Sequence, residues 1–152
     1  MTGSGTHTTE DRLTLRSQLS ELSQLPAWIE RLALEHAIPQ DTQFSMNLCL
    51  EEVLSNVIRH GYSGSPDHFI DIRFTNPSGN RFVLIVEDYA PHFNPLDAPR
   101  LPAIGALDEE RIGGQGIRLL RRFADSLEYQ AMPSGNRLSM GFSAGDSTTM
   151  SH

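Results

Sequence analysis

The chain has 152 residues, 38% of them apolar and 20% charged, with a formal net charge of −7. That length fits one ordinary domain with a sizeable core, and the acidic balance argues against a nucleic-acid binder, which needs a basic face to displace counterions. No apolar run approaches a membrane span, the opening MTGSGTHTTED lacks the order of a signal peptide, and Cys49 is the single cysteine, so an internal disulfide is excluded and a cytoplasmic setting is expected.

Residues 1–10 lack an apolar pattern and read as a mobile tail, with a single domain expected over 11–143 and a second tail over 144–152. Leu13, Leu15 and Ser17 alternate with Arg12, Thr14 and Arg16, which predicts a first strand. Ser20 or Ser23 is placed to cap a helix in which Leu22, Leu25, Trp28, Ile29, Leu32 and Ala33 recur at helical spacing, with Pro26 in its first turn. Asp41 or Thr42 is placed to cap the next helix, Phe44 to His60, and Gly61 to end it. Phe69, Ile70, Ile72 and Phe74 predict a strand, Asn76–Asn80 a turn, and the apolar run Phe82–Val86 a central buried strand. A long irregular stretch from Glu87 to Gly114 contains four prolines and reads as a lid. Ile117, Leu119, Leu120 and Phe123 then mark a helix with Arg118, Arg121 and Arg122 outside. Leu127, Tyr129 and Ala131 form a strand, Pro133–Asn136 a turn, and Leu138, Met140 and Phe142 a closing strand. Hairpins dominate, so the expected fold is an α/β two-layer sandwich: a mixed, mainly antiparallel sheet with helices on one face.

Three stretches carry chemistry. On the central helix, Met46, Cys49, Leu50, Val53, Leu54, Val57 and Ile58 share an apolar arc, and Glu52 and Asn56 stack on the polar side. An amide oxygen is a neutral ligand for Mg²⁺, and a carboxylate beside it can take a proton from an attacking hydroxyl. Taken alone, the stretch favours the plainer reading of a solvated polar stripe, since such stripes are common. Asp88 stands where the central strand runs out, and its carboxylate can accept from the exocyclic amine of adenine; exposed strand-end aspartates are also common. Gly113-Gly114-Gln115-Gly116 opens the arginine-bearing helix, where free N–H groups and the helix dipole suit a phosphate. The six histidines show no paired-ligand spacing, and a zinc site is not expected.

The order and spacing of EEVLSNVIRHGY, VEDYAPHFNP and GGQGIRLL resemble the GHKL ATP-binding (Bergerat) fold of histidine kinases, gyrase-type ATPases and Hsp90. Within that group the chain is most similar to the RsbW-like anti-sigma-factor serine/threonine kinases, from about Leu13 to Phe142. The resemblance implies ATP and Mg²⁺ as cofactors. It makes Glu52 the general base and Asn56 the Mg²⁺ ligand, with Asp88 reading adenine. Gly113, Gly114 and Gly116 would wrap the phosphates, and Ala90, Phe93, Gln115 and Ile117 would line the nucleotide. Arg59 and His60 lie beside this site without an assigned role. The family usually has glycine where this chain has Ala90; a positive φ there would cost alanine roughly 1 kcal/mol, and its methyl would crowd the adenine.

The P-loop pattern and the VAIK, HRD and DFG set are absent. The leading expectation is therefore a kinase that phosphorylates an anti-anti-sigma (STAS) protein and sequesters a sigma factor, with homodimerisation a further expectation of the family. A non-catalytic, ATP-gated binding module is the alternative, and a plain ATPase of the same fold a third reading.

Overall fold

The computed structural model describes residues 10–92 and 118–144. In chain order they form β1 (Glu10–Arg16), a 3-10 turn (Leu19–Gln24), α1 (Leu25–His36), α2 (Gln40–Asn56), a π-helical turn (Val57–Gly61), β2 (Phe69–Ser78), β3 (Arg81–Asp88), α3 over 118–123, β4 (Ser126–Met132) and β5 (Gly135–Ser143). The strands make one sheet in the order β1-β2-β3-β5-β4, and every pairing in it is antiparallel. β2–β3 and β4–β5 are hairpins, whereas β1 pairs with β2 across both long helices.

Side chains alternate between the two faces of a strand. Ile70, Ile72 and Phe74 of β2, Phe82, Leu84 and Val86 of β3, and Leu138, Met140 and Phe142 of β5 all point to one face and are buried. Trp28, Ile29 and Leu32 of α1 and Met46, Leu50, Val53 and Leu54 of α2 close over them in a single core. Each such side chain contributes about 1.5–3 kcal/mol by leaving water. The opposite face is open. Glu87 bridges Arg73 (3.0 Å) and Arg137 (2.6 Å) there, and Val83 and Ile85 stay partly exposed. The apolar run of β3 thus marks a central strand, but one that is covered on one face only. Among the described residues no helix is long and apolar enough to cross a membrane.

Several local details differ from the expectations. β1 begins at Glu10, inside the stretch read as a tail. Neither Ser20 nor Ser23 caps α1: the 3-10 turn precedes it, and the Ser23 hydroxyl donates to the Ser20 carbonyl at 3.0 Å. The N-cap of α2 is Pro39 in extended conformation, so Asp41 lies in the first turn, where its charge faces the positive end of the helix dipole. The turn expected over Asn76–Asn80 shrinks to Gly79–Asn80. The Asn76 amide donates to the Ser78 and Arg81 carbonyls and so carries β2 through an irregularity in register to Ser78.

α1 ends on Ala37 at φ 56, ψ 50, the left-handed conformation that glycine adopts without a Cβ penalty. Ala37 is exposed, so its methyl has little packing to lose. Ala37→Gly should therefore stabilise the fold by up to about 1 kcal/mol. A urea titration should show a higher midpoint with an unchanged slope; a midpoint that falls contradicts the assignment.

Candidate functional site: a slot between helix and sheet

Residues four apart on α2 lie one above the other, and the Asn56 amide donates to Glu52 Oε2 at 3.1 Å. Asn56 thereby fixes the carboxylate and keeps its own carbonyl oxygen for another partner. The two side chains face different spaces. Asn56, with Val53 and Val57, lines a slot against Val86, Asp88, Tyr129, Asn136 and Leu138 of the sheet. Glu52 opens instead onto a groove of about 650 Å³ between the 3-10 turn and α2, together with Leu22, Leu25, Asn47, Leu48 and Arg59. The Asn47 Oδ1 is buried and has no hydrogen-bond partner among the described residues. Burial, with the Glu52 charge adding to it, pushes the nearby Cys49 thiol up to about 12, so it stays a packing residue.

Asp88 continues the alternation Phe82, Leu84, Val86, which places it on the core face at the end of β3, only 5% exposed. Its Oδ1 accepts the Ala90 N–H (2.9 Å) and the Asn136 amide (2.8 Å). Asn136 stands opposite Asp88 in the β3–β5 ladder, on the same face as Leu138, Met140 and Phe142. Its amide also donates to the Ala90 and Pro91 carbonyls, each at 3.2 Å, and its Oδ1 accepts the Tyr129 hydroxyl. The strand ends approach so closely that a Cβ on Gly135 would run into the Asp88 carbonyl. Burial raises the Asp88 carboxyl above the ordinary aspartate range, and its bonds to Asn136 and Ala90 pull it part of the way back. The free space in the slot is about 10 Å³.

The turn after α2 forms the neighbouring wall. The Tyr62 N–H reaches the Val57 carbonyl at 2.8 Å, the i→i+5 bond of a π turn. Positive φ falls on Ser63 and Gly64, so Gly61 does not end the helix as a left-handed cap. Its missing side chain serves contact instead, because a Cβ there would lie 3.2 Å from the Ala90 Cβ. Ala90 is buried and does not have positive φ. The expected strain is absent, and the methyl packs towards Gly61 and lies outside the slot lining. The Tyr62 oxygen accepts the Tyr89 N–H (2.7 Å) and its hydroxyl donates to the Phe69 carbonyl (3.1 Å), which ties this turn to the ends of β2 and β3.

The structure thus brings Asn56 and Asp88 to one slot, sets Glu52 beside it and puts Ala90 behind it. Arg59 joins the Glu52 groove, and His60 is exposed. Phe93, Gly113, Gly114, Gln115, Gly116 and Ile117 lie outside the described residues, as does most of the expected lid. Asn136 and Tyr129 were not singled out from the sequence. Carrying the alternation of Phe142, Met140 and Leu138 back two more residues puts Asn136 on the core face, a signal hidden by its reading as a turn residue.

Comparison with known proteins gives a consistent picture. Residues 15–142 match the model of the histidine kinase-like ATPase domain. The chain is 30% identical over 131 residues to the serine/threonine-protein kinase BtrW of Bordetella bronchiseptica, covering 86% of this chain and 91% of that protein. Among solved structures it is similar to the RsbU and RsbW domains of Rv1364c from Mycobacterium tuberculosis, with a TM-score of 0.64 and 11% identity over 90% of this chain. It also resembles the histidine kinase domain of the blue-light activated histidine kinase EL346 from Erythrobacter litoralis, with a TM-score of 0.54 and 17% identity over 86% of this chain. The chain spans 32% and 63% of those two longer chains.

Two outcomes test this geometry. A raised Asp88 carboxyl makes the folded state hold its proton to higher pH than the unfolded chain does. Its contribution to stability is then most favourable in acid and is lost as pH rises through the folded value. Asp88→Asn should be at least as stable as wild type at neutral pH, with the difference narrowing towards pH 4 in denaturant titrations; a gap that widens in acid contradicts the raised value. For the second wall, Gly61→Ala should be better tolerated in an Ala90→Gly background than in wild type, by roughly 0.5–1 kcal/mol of coupling in a double-mutant cycle. Strict additivity would mean that the two do not meet.

Proposed function

The chain belongs to the histidine kinase-like ATPase domain family, and on that premise we propose that it is an RsbW-like, Mg-ATP-dependent protein serine/threonine kinase acting on an anti-anti-sigma (STAS) protein. It would also hold a sigma factor, with phosphorylation deciding which partner is bound. The observation that carries this reading is the division of the Glu52–Asn56 pair between two spaces, Asn56 on the Asp88 slot and Glu52 on the open groove.

The residues present fit the nucleotide. Asn56 uses its N–H on Glu52 and has left the neutral carbonyl oxygen that Mg²⁺ accepts. Asp88 ends the slot as an acceptor for an amino-purine edge, and Ala90 backs it. When bound, ATP supplies the phosphoryl group and Mg²⁺ offsets the charge on its oxygens. Phe93, Gly113, Gly114, Gln115, Gly116 and Ile117 are assigned to the nucleotide by family resemblance. Glu52, held through Oε2 by Asn56, faces the groove from which a serine hydroxyl would arrive, and it accepts that proton as the new bond forms.

A non-catalytic binding module of the same fold, holding a protein partner without phosphate transfer, is the alternative reading.

Glu52→Gln keeps size and hydrogen-bonding reach but cannot act as a base. Phosphate transfer to a STAS partner should fall roughly 10²–10⁴-fold while calorimetric ATP affinity persists. Asn56→Ala should lose Mg²⁺-dependent affinity as well. Transfer at the wild-type rate by Glu52→Gln removes Glu52 from the role of base. Tight partner binding by the wild type without transfer selects the binding module.

A further inference from the structure

Beyond the Glu52–Asn56 pair, the wall of the slot carries a connected polar relay from Tyr129 through Asn136 to Asp88. It spans three elements: Tyr129 is on β4, Asn136 on β5 and Asp88 at the end of β3. Two of its members, Asp88 and Asn136, are buried.

The orientation of the Asn136 amide is over-determined. Its nitrogen faces three acceptors, Asp88 Oδ1 (2.8 Å), the Ala90 carbonyl and the Pro91 carbonyl (each 3.2 Å). Its oxygen faces the Tyr129 hydroxyl, which donates to it. Turning the amide over would set an oxygen against three oxygens and leave the nitrogen facing the phenol. The same arrangement settles what Asp88 can offer. Oδ1 already accepts two N–H groups, from Asn136 and Ala90, so Oδ2 is the oxygen left for a ligand. Without the Asn136 donor, burial would act on the carboxyl with less opposition and favour its protonated form, which donates. The ionisable groups facing Asp88 are Tyr129 of β4 and Tyr62 of the π turn; α2 contributes Val53, Asn56 and Val57, none of them charged.

We propose that Asn136, oriented by Tyr129, is a positioning residue that holds Asp88 as a pure acceptor and thereby sets the base selectivity of the slot. A 6-amino purine presents an N–H to that acceptor and is taken, whereas a 6-oxo purine presents a second oxygen and is refused. The selectivity belongs to the relay, not to Asp88 alone. It rests on the reading that the slot receives the nucleotide base.

The test is the ratio of ATP to GTP affinity, measured by calorimetry with Mg²⁺ for the full chain and its Asn136→Ala and Tyr129→Phe variants. A purely structural role lowers both affinities together and leaves the ratio alone. The wild type should prefer ATP by roughly 10²-fold or more, as expected of a site whose buried polar group is left unpaired by the wrong ligand. Asn136→Ala should cut that ratio about ten-fold or more, the scale of a hydrogen bond to a charged group. Tyr129→Phe keeps the ring and the fold and should move the ratio the same way by a smaller factor. It decides the matter if Asn136→Ala does not fold. An unchanged ratio in folded variants overturns the proposal while leaving the slot as the nucleotide site. Binding of neither nucleotide by the wild type overturns the slot reading, and the proposal falls with it. GTP bound as well as ATP by the wild type overturns the selectivity claim alone.

Discussion

A carboxylate at the buried end of a strand stays there only while donors reach it. Asp88 is that group, and much of the local structure follows from supplying it. Asn136 must stand directly across the ladder, which sets the register of β5 on β3. Gly135 must lack a side chain, or the two strand ends could not approach so closely. The chain beyond Asp88 must turn back so that the Ala90 N–H meets its own aspartate two residues earlier. Tyr62 then secures that turn from the helix side by accepting the Tyr89 N–H. One polar burial thus couples the end of α2, the end of β3 and the start of β5.

The helix contributes by geometry more than by composition. A step of four residues advances about 40° beyond one full turn. That offset is small enough for Asn56 to bond Glu52, yet large enough for the two to open onto different spaces. The apolar arc fixes the rotation of α2 against the sheet, with Met46, Cys49, Leu50, Val53 and Leu54 buried. The polar pair is therefore aimed by packing it takes no part in. A one-residue slip in that arc would turn the pair through about 100° and remove it from both spaces.

The layers of the fold were legible because they rest on local periodicity. Alternation in β1, β2 and β5, and the 3.6-residue pattern of α1 and α2, put the core residues where the structure has them, whereas in β4 Leu127 and Tyr129 are only partly buried and Ala131 is exposed. The Glu52–Asn56 contact followed from helical spacing alone. Long-range and backbone-specific features did not show. Asn136 meets Asp88 across 48 positions, and nothing near either residue announces the other. Its place after Pro133-Ser134-Gly135 made it read as part of a turn. Gly61 looked like a helix stop because glycine is the usual left-handed cap, whereas here its bare Cα admits Ala90. Caps at Ser20, Ser23, Asp41 and Thr42 were over-read, since a 3-10 turn and an extended Pro39 deliver the chain into the helices without them.

The sheet has a seam. β2–β3 and β4–β5 each close over a short turn, but β3 meets β5 only after a long excursion of the chain, and the Asp88–Asn136 pair sits at the end of that junction. Closing so long a loop has an entropy cost that the hairpins themselves do not bear. A ligand held between Asp88 and the helix would straddle the seam. Its binding free energy would then also oppose separation of the two hairpins, so occupancy of the slot and cohesion of the sheet become a single linked equilibrium.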